Sequence, residues 1–293
     1  MKYRVRHFTQ YDYAVAVTMS HNIVRMRPRD SAVQSCLRHE LTLSPLPEIR
    51  LNGFDYFGNY AVWFSLQEPH MHLTVSAESE VEVSLGLRPD ISSGPSWEEV
   101  RDAIAAGNDA HTLLAREFVM ESPYVPHSPE LAEYALPSFL PGTPFLQCVF
   151  DLTKRIRREF KFLPGSTKVG TPVLDVLRAR RGVCQDYAHL QLGCLRSLGF
   201  AARYVSGYIV TTPPAGKQRL EGADVSHAWI SAFTPEFGWI DFDPTNGLMP
   251  SDSHITVAWA RDYDEVGPVK GIVVGGRTQK LDYSVDVVPV DSF

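Results

Sequence analysis

The sequence is poor in cysteine and lacks the cysteine spacings that are typical of disulfide frameworks and zinc sites. It contains four cysteines in 293 residues, and no two of them form a C-x-x-C pair. We therefore expect neither a disulfide framework nor a zinc site. The pattern predicts free thiols, and a reducing cytoplasm is the compartment that fits them best.

Long apolar runs and a surplus of positive charge are also missing. We find no run of about 18 apolar residues and expect no membrane span. The first residues, MKYRVRHFTQYDYAV, lack the apolar run and cleavage site of a signal peptide. The formal net charge of −6 argues against a nucleic-acid partner. Composition leaves the oligomeric state open.

Residues 1–90 have the pattern of a β-rich N-terminal domain. Short segments rich in β-branched and aromatic residues alternate with turn-forming residues, at 3–7, 41–44, 60–66 and 73–83. This arrangement predicts an antiparallel, β-sandwich-like or half-barrel unit.

Residues 91–293 are expected to form a second domain of α+β class, with its core at 145–250 and a β-like extension at 251–293. Helical periodicity and end signals predict helices at 97–106, 110–118, from 145, 172–180 and 184–198. Strands are predicted at 201–210, 226–233 and 238–243. A loop at 211–223 joins the first two of these strands, and its place before His227 suggests that it gates the cleft or shapes the access of an acceptor.

Cys184 is the candidate nucleophile because it follows Gly182 at the predicted start of a helix. A thiolate in that position faces unpaired backbone N–H groups and the positive end of the helix dipole, and both lower the pKa of a cysteine. The same N–H groups can hold an oxyanion. The alternative is a small buried hydrophobe, which is the interpretation we adopt for the other cysteines, Cys36, Cys148 and Cys194.

His227 is the candidate base, and it opens the apolar strand SHAWISAF. If this strand forms a hairpin with 238–243, His227 falls opposite residue 243 or 244, within a slip of one or two residues. Asp241 and Asp243 both lie on one face of the second strand, and the count favours Asp243 as the carboxylate that orients the imidazole. The alternative is that Asp243 caps the Asp-Pro-Thr-Asn turn.

The other histidines have weaker signals. His189 lies five residues after Cys184, and we expect a surface or structural role for it. His70 and His72 form an H-x-H pair, but no third ligand is evident, so no metal site is expected. The remaining histidines, His254 among them, stand alone in the pattern.

Three segments resemble the core motifs of the bacterial transglutaminase-like superfamily, in the family's order of cysteine, histidine and aspartate. They are RRGVCQDYAHL at 180–190, VSHAW at 225–229 and GWIDFDPTNG at 238–247. The segment LRSLGFAARYVSGY also resembles the stretch that follows the family's cysteine. Residues 1–85 resemble the β-rich N-terminal region often attached to this bacterial subgroup.

The resemblance implies a papain-like α+β core in which the cysteine helix packs on an antiparallel sheet. It implies Cys184 as nucleophile, His227 as base and Asp243 as orienting acid. Gln185, Trp229 and Trp239 are candidates for oxyanion support or for lining the cleft. The tryptophan that animal transglutaminases place before their cysteine has no counterpart between Trp97 and Cys184.

These residues predict acyl transfer from a peptide or protein amide through a thioester, with no cofactor. Hydrolysis by a cysteine peptidase is favoured over transamidation, and both begin from the same intermediate. An acetyltransferase with the same triad would need an acyl-donor pocket that the sequence does not reveal. A catalytically silent binding module of the same fold is the alternative from another class.

Overall fold

The computed structural model describes residues 1–86, 88–107, 109–210 and 226–290. The N-terminal part forms an antiparallel sheet whose strands lie in the order β2-β5-β1-β4-β3. Their bounds are β1 (Lys2–Val24), β2 (Gln34–Ser44), β3 (Ile49–Phe54), β4 (Tyr60–Leu66) and β5 (His70–Val83). Burial alternates along β1, as a strand requires, so Tyr3 and Val5 enter the core while Arg4 and Arg6 face solvent.

Helices dominate the middle of the chain, from residue 97 to residue 197. Their bounds are α1 (Trp97–Ala106), α2 (Ala110–Arg116), α3 (Pro129–Ala135), α4 (Phe145–Glu159), α5 (Val173–Ala179) and α6 (Cys184–Ser197). Two short strands, β6 (Lys161–Phe162) and β7 (Arg181–Gly182), form a parallel pair beside α6. Residues 186–196 of α6 are all buried, which makes α6 the central helix of the domain.

The second sheet covers α6 and has the strand order β10-β9-β8-β11. Its strands are β8 (Ala202–Ile209), β9 (Ser226–Thr234), β10 (Gly238–Phe242) and β11 (His254–Ala260). Ala228 and Ile230 of β9 join the same apolar core as α6. Trp229 lies between them in sequence and therefore points to the opposite face of the sheet.

The C-terminal strands return to the N-terminal sheet. After the short helix α7 (Tyr263–Val266), β12 (Val269–Gly275) and β13 (Gln279–Pro289) both pair with β1 in antiparallel fashion. The predicted extension at 251–293 is therefore divided between the two sheets, because β11 completes the second sheet while β12 and β13 extend the first. Such long-range pairing has no local signal in the sequence.

The predicted α+β class is confirmed. Predicted helices at 97–106 and 184–198 correspond to α1 and α6, and the hairpin of β9 and β10 forms as expected. The predicted gating loop at 211–223 lies outside the described residues. Within the described ranges, no helix is both long enough and apolar enough to cross a bilayer.

Asn59 links the two sheets. Its side chain is fully buried, and its Nδ2 donates to Asp55 Oδ2 at 3.0 Å and to the carbonyl of Trp259 in β11 at 3.0 Å. Its Oδ1 accepts from Trp259 N at 2.9 Å and from Arg29 Nη1 at 2.5 Å. One amide group thus satisfies both backbone groups of Trp259 and joins the β3–β4 turn to β11.

Replacing Asn59 with alanine should lower the free energy of unfolding by about 2–3 kcal/mol, because it leaves the backbone N–H and C=O of Trp259 without partners and removes one of the acceptors of Arg29. Urea denaturation measures this change. Asn52→Ala, at an exposed position of β3, is the control and should change it by less than ~0.5 kcal/mol. Equal stability of the Asn59→Ala variant and the wild type would contradict this role.

Candidate active site

Cys184 is the first residue of α6, and the segment before it is shaped to start the helix there. Val183 is extended, and its N–H donates to Asp186 Oδ2 at 2.8 Å, which also accepts from Thr167 Oγ1 at 2.6 Å. A Cβ on Gly182 would lie 2.7 Å from Asp186 Oδ2, so only glycine permits this approach. The Asp186 carboxylate therefore fixes the entry of the chain into α6.

The thiol of Cys184 differs from the other thiols in its surroundings. It is half-buried at the N-terminus of a 14-residue helix, where the first backbone N–H groups have no partner within the helix. Cys148 and Cys194 are buried in helices, and burial raises the pKa of both thiols, that of Cys148 to about 12. Burial also raises the pKa of Cys36.

His227 connects Cys184 to Asp243. Its Nε2 lies 2.8 Å from Asp243 Oδ2, and its ring also interacts with the Cys184 thiol. Burial works against a charged imidazole, but the hydrogen bonds to Asp243 and Cys184 outweigh it and raise the pKa of His227 to about 10. The arrangement therefore favours an imidazolium paired with the Asp243 carboxylate.

Asp243 is fully buried and is surrounded by hydrogen-bond donors. Oδ1 accepts from the backbone N–H groups of Thr245 at 2.8 Å and Asn246 at 3.1 Å. Oδ2 accepts from Asn246 Nδ2 at 2.7 Å and faces His227 and His254. Burial alone raises the pKa of this carboxyl, but the hydrogen bonds and the His227 charge hold it well below its usual range. Asp243 thus caps the turn and contacts His227 at once.

The hairpin register explains why Asp243, and not Asp241, reaches His227. Trp239 pairs with Phe233 and Asp241 with Ser231, so Asp243 is offset by two residues from the position opposite His227. The chain leaves β10 at this point, and Asp243 pairs with Leu248 in an isolated bridge that turns it inward. Asp241 remains on the strand, where its Oδ2 accepts from Trp229 Nε1 at 3.0 Å.

His254 is a member of this cluster that the sequence did not reveal. It is 5% exposed, and its Nε2 lies 3.1 Å from Asp243 Oδ2. The Nδ1 atom accepts from Ser251 N at 3.4 Å, which leaves the proton on Nε2 and directs it at Asp243. Gly207 of β8 lies between β9, which carries His227, and β11, which carries His254. It pairs with His227 on one side and with Thr256 on the other.

The remaining predicted site residues lie at different distances from this cluster. Gln185 is the second residue of α6 and is half-buried. The ring of Trp229 is 6.0 Å from that of His227, centroid to centroid, and 5.3 Å from that of His254. Trp239 is partly buried and packs against the core, with its ring 5.1 Å from that of Phe118, centroid to centroid.

The other histidines that the sequence singled out have structural surroundings. His189 is 3% exposed, so a surface role is excluded, and its Nε2 accepts from Tyr263 N at 3.2 Å. Burial lowers the pKa of His189 to about 3. His70 contacts the carbonyl of Glu68 at 2.9 Å, whereas His72 contacts Asp12 at 2.6 Å.

His227, Asp243 and His254 also have the donor set of a metal site, with ligand atoms within 4.8 Å of one another. Around a zinc ion with bonds of about 2.0 Å, tetrahedral ligand atoms lie ~3.3 Å apart. The two Nε2 atoms lie 2.8 and 3.1 Å from one Asp243 oxygen, which are separations of direct hydrogen bonds. The geometry therefore fits a protonated network better than a metal centre.

Comparison with known proteins identifies the class to which this fold and site belong. The description "bacterial transglutaminase-like N-terminal region" matches residues 3–82, and "transglutaminase-like superfamily" matches residues 141–244. An uncharacterized protein of Mycobacterium tuberculosis is 41% identical over 298 residues, covering 99% of this chain and 93% of that protein. The chain belongs to the transglutaminase-like superfamily and carries the bacterial N-terminal region of that group.

Two further similarities concern the fold and the core. A Cytophaga hutchinsonii structure, provisionally described as a cysteine protease, superposes with a TM-score of 0.78 at 21% identity, covering 100% of this chain and 92% of that chain. At that identity the likeness shows the fold alone. A protein-glutamine gamma-glutamyltransferase of Pseudomonas aeruginosa is 39% identical over 72 residues, which are 24% of this chain and 11% of that protein.

The raised pKa of His227 predicts a specific pH dependence of stability. A raised pKa contributes stability that is fully present below the unfolded value of 6.5 and is lost as the pH rises through about 10. Chemical denaturation between pH 6.5 and pH 10 should therefore show a steeper loss of stability in the wild type than in His227→Gln. His111→Gln, at an exposed position, is the control and should retain the wild-type slope. Parallel curves for His227→Gln and the wild type would contradict the prediction.

Replacement of His254 should slow the reaction of Cys184 with an electrophile without abolishing it. His254→Phe keeps a ring but removes one donor from Asp243, worth about 1 kcal/mol, so iodoacetamide should alkylate Cys184 roughly fivefold more slowly at pH 7. His254→Gln retains a donor and should recover most of the rate. An unchanged alkylation rate in the phenylalanine variant, with an intact fold by circular dichroism, would limit His254 to packing.

Proposed function

We propose that this protein is a cysteine-dependent acyl-transfer enzyme acting on amide bonds of peptides or proteins. Cys184 is the nucleophile, His227 the general base and acid, and Asp243 the group that orients the imidazole. The observation that carries the proposal is that one buried imidazole lies 2.8 Å from a buried carboxylate and close enough to the thiol at the start of α6 for that thiol to raise the pKa of the imidazole. Nucleophile, base and orienting group are the three parts that covalent catalysis requires.

The reaction proceeds through a thioester. The Cys184 sulfur attacks the amide carbonyl carbon, its proton resides on His227, and the developing oxyanion lies against N–H groups at the start of α6. Collapse of the tetrahedral intermediate breaks the C–N bond, and His227 gives its proton to the departing amine. Water or a second amine, deprotonated by His227, then attacks the thioester and releases the thiol.

The charged state of the triad supports acyl transfer near neutral pH. Because the hydrogen bonds of Asp243 raise the pKa of His227, the imidazolium is stabilised beside the sulfur. The same imidazolium can give its proton to the departing amine, and the backbone N–H groups at the start of α6 can stabilise the oxyanion.

Hydrolysis is the preferred outcome of the thioester, and transamidation is the second candidate. Transamidation is favoured by the local identity with the Pseudomonas glutamyltransferase over 72 residues. It is disfavoured by the lack of a tryptophan between Trp97 and Cys184, a residue that animal cross-linking enzymes use. A silent binding module is disfavoured because the thiol, imidazole and carboxylate are all present and the imidazole interacts with both of the other groups.

Cys184→Ala should abolish covalent labelling by a peptide that carries an electrophilic carbonyl, because no other thiol is paired with a histidine among the described residues. Mass spectrometry of the labelled wild type should locate the adduct on Cys184. Cys36→Ala, which removes another half-buried thiol, is the control and should label at the wild-type rate. Labelling of Cys184 no faster than of Cys36 would overturn the proposal in favour of a binding module.

A second measurement separates the two fates of the thioester. A glutamine-containing peptide library is incubated with the protein in the presence and absence of a primary amine, and products are identified by mass. Free carboxylate products that are unaffected by the amine indicate hydrolysis. Amine adducts formed at the expense of the hydrolysis products would instead assign transamidation.

A further inference from the structure

A cavity of about 370 Å³ lies between the N-terminal sheet and the face of the second sheet that points away from α6. Arg29, Gln34 and Val83 line it from the N-terminal side. Arg203 and Asp241 line it from the second sheet, together with the indoles of Trp229, Trp239 and Trp259. Cys184, His227 and Asp243 are not among its lining residues, whereas Trp229 and His254, which lie beside them, are, so the cavity adjoins the candidate active site without including the thiol.

Arg203 is the unusual member of this lining. It is only 9% exposed, yet its guanidinium makes no hydrogen bond or ion pair with any residue in the described part of the chain, and its Nε is buried without a partner. Burial of a guanidinium is costly unless an acceptor compensates it. Its five N–H donors are therefore available to a ligand in the cavity.

A second guanidinium reinforces the positive field. The guanidinium carbons of Arg29 and Arg203 lie 3.6 Å and 3.7 Å from the centroid of Trp259. At these distances the two groups fit only on opposite faces of the indole. Arg29 has acceptors in Asn59 Oδ1 and the Phe57 carbonyl, but its Nε is also buried without a partner.

The charges around the cavity do not balance. Among the described residues that line it, Arg29, Arg88 and Arg203 are positively charged and Asp241 is the single acidic residue. Asp241 accepts from Trp229 Nε1 and is not within ion-pair distance of Arg203. Burial lowers the pKa of Arg203 to about 9, opposed in part by Asp241, as expected for a guanidinium without a close anion.

We propose that this cavity binds a small carboxylate whose charged end pairs with Arg203 and whose apolar body packs against the indoles of Trp229 and Trp239. A planar guanidinium matches a planar carboxylate through two parallel hydrogen bonds. The volume of about 370 Å³ falls within the range of roughly 300–1,000 Å³ that is typical of small-molecule sites. The site is separate from the thiol, so the inference stands apart from the proposed acyl transfer.

Binding of phenylacetate to the intact chain tests this assignment by calorimetry and tryptophan fluorescence. Phenylacetamide has the same shape without the charge and should bind on the order of tenfold more weakly. Arg203→Met should lose a similar factor, and Arg38→Met, at an exposed arginine, should lose nothing. Cys184→Ala should bind phenylacetate as the wild type does, because the thiol is not part of the cavity.

Asp241→Asn keeps an acceptor for Trp229 but removes the negative charge, so it should bind phenylacetate several-fold more tightly. This variant decides the matter if Arg203→Met does not fold: tighter binding supports the site, and unchanged affinity overturns it. Equal affinity for phenylacetamide and phenylacetate would also overturn it. Tighter binding of inorganic phosphate than of phenylacetate would refute a carboxylate site.

Discussion

The candidate active site depends on the saturation of one buried carboxylate. Asp243 has no contact with solvent, and its two oxygens face donors from Thr245, Asn246, His227 and His254. A buried carboxylate with fewer donors would take up a proton, since burial disfavours its charge. Its ionised state in turn stabilises the imidazolium of His227. The turn after β10 therefore sets the charge of the imidazole that contacts Cys184.

The fold brings this carboxylate to the thiol through two independent constraints. The β9–β10 hairpin fixes the separation of His227 and Asp243, because the register positions both side chains relative to one turn. The start of α6 is fixed separately, by the Asp186 carboxylate and the absence of a side chain at Gly182. Packing of α6 on the second sheet then brings the Cys184 thiol to the hairpin that carries His227 and Asp243. A shift of α6 by one residue would rotate Cys184 by about 100°, away from His227.

Local signals in the sequence account for much of the fold and for the parts of the site that lie on single elements. Glycine at 182 and 199 brackets α6, and the turn at 234–238 predicts the hairpin and hence the proximity of His227 and Asp243. The role of His254 was not predicted, because His254 lies on β11. The position of β11 depends on its pairing with β8, and its sequence lies outside the triad motifs. The pairing of β12 and β13 with β1 was not predicted for the same reason. Partners distant in sequence are set by tertiary packing, which a single sequence does not display.

The two buried charged groups at the second sheet, Asp243 and Arg203, differ in how fully the protein compensates their charge. On the Asp243 side, every charge is matched: the carboxylate has its donors, and the imidazole has the carboxylate and the thiol. On the Arg203 side, a guanidinium is also buried but has no acceptor among the described residues, and Asp241 accepts from Trp229 instead. Folding can bury a charge stably only where something compensates it. The first centre is complete within the protein, whereas Arg203 has the indoles of Trp239 and Trp259 but no anionic or hydrogen-bond acceptor among the described residues, and this is the physical reason to seek a ligand there.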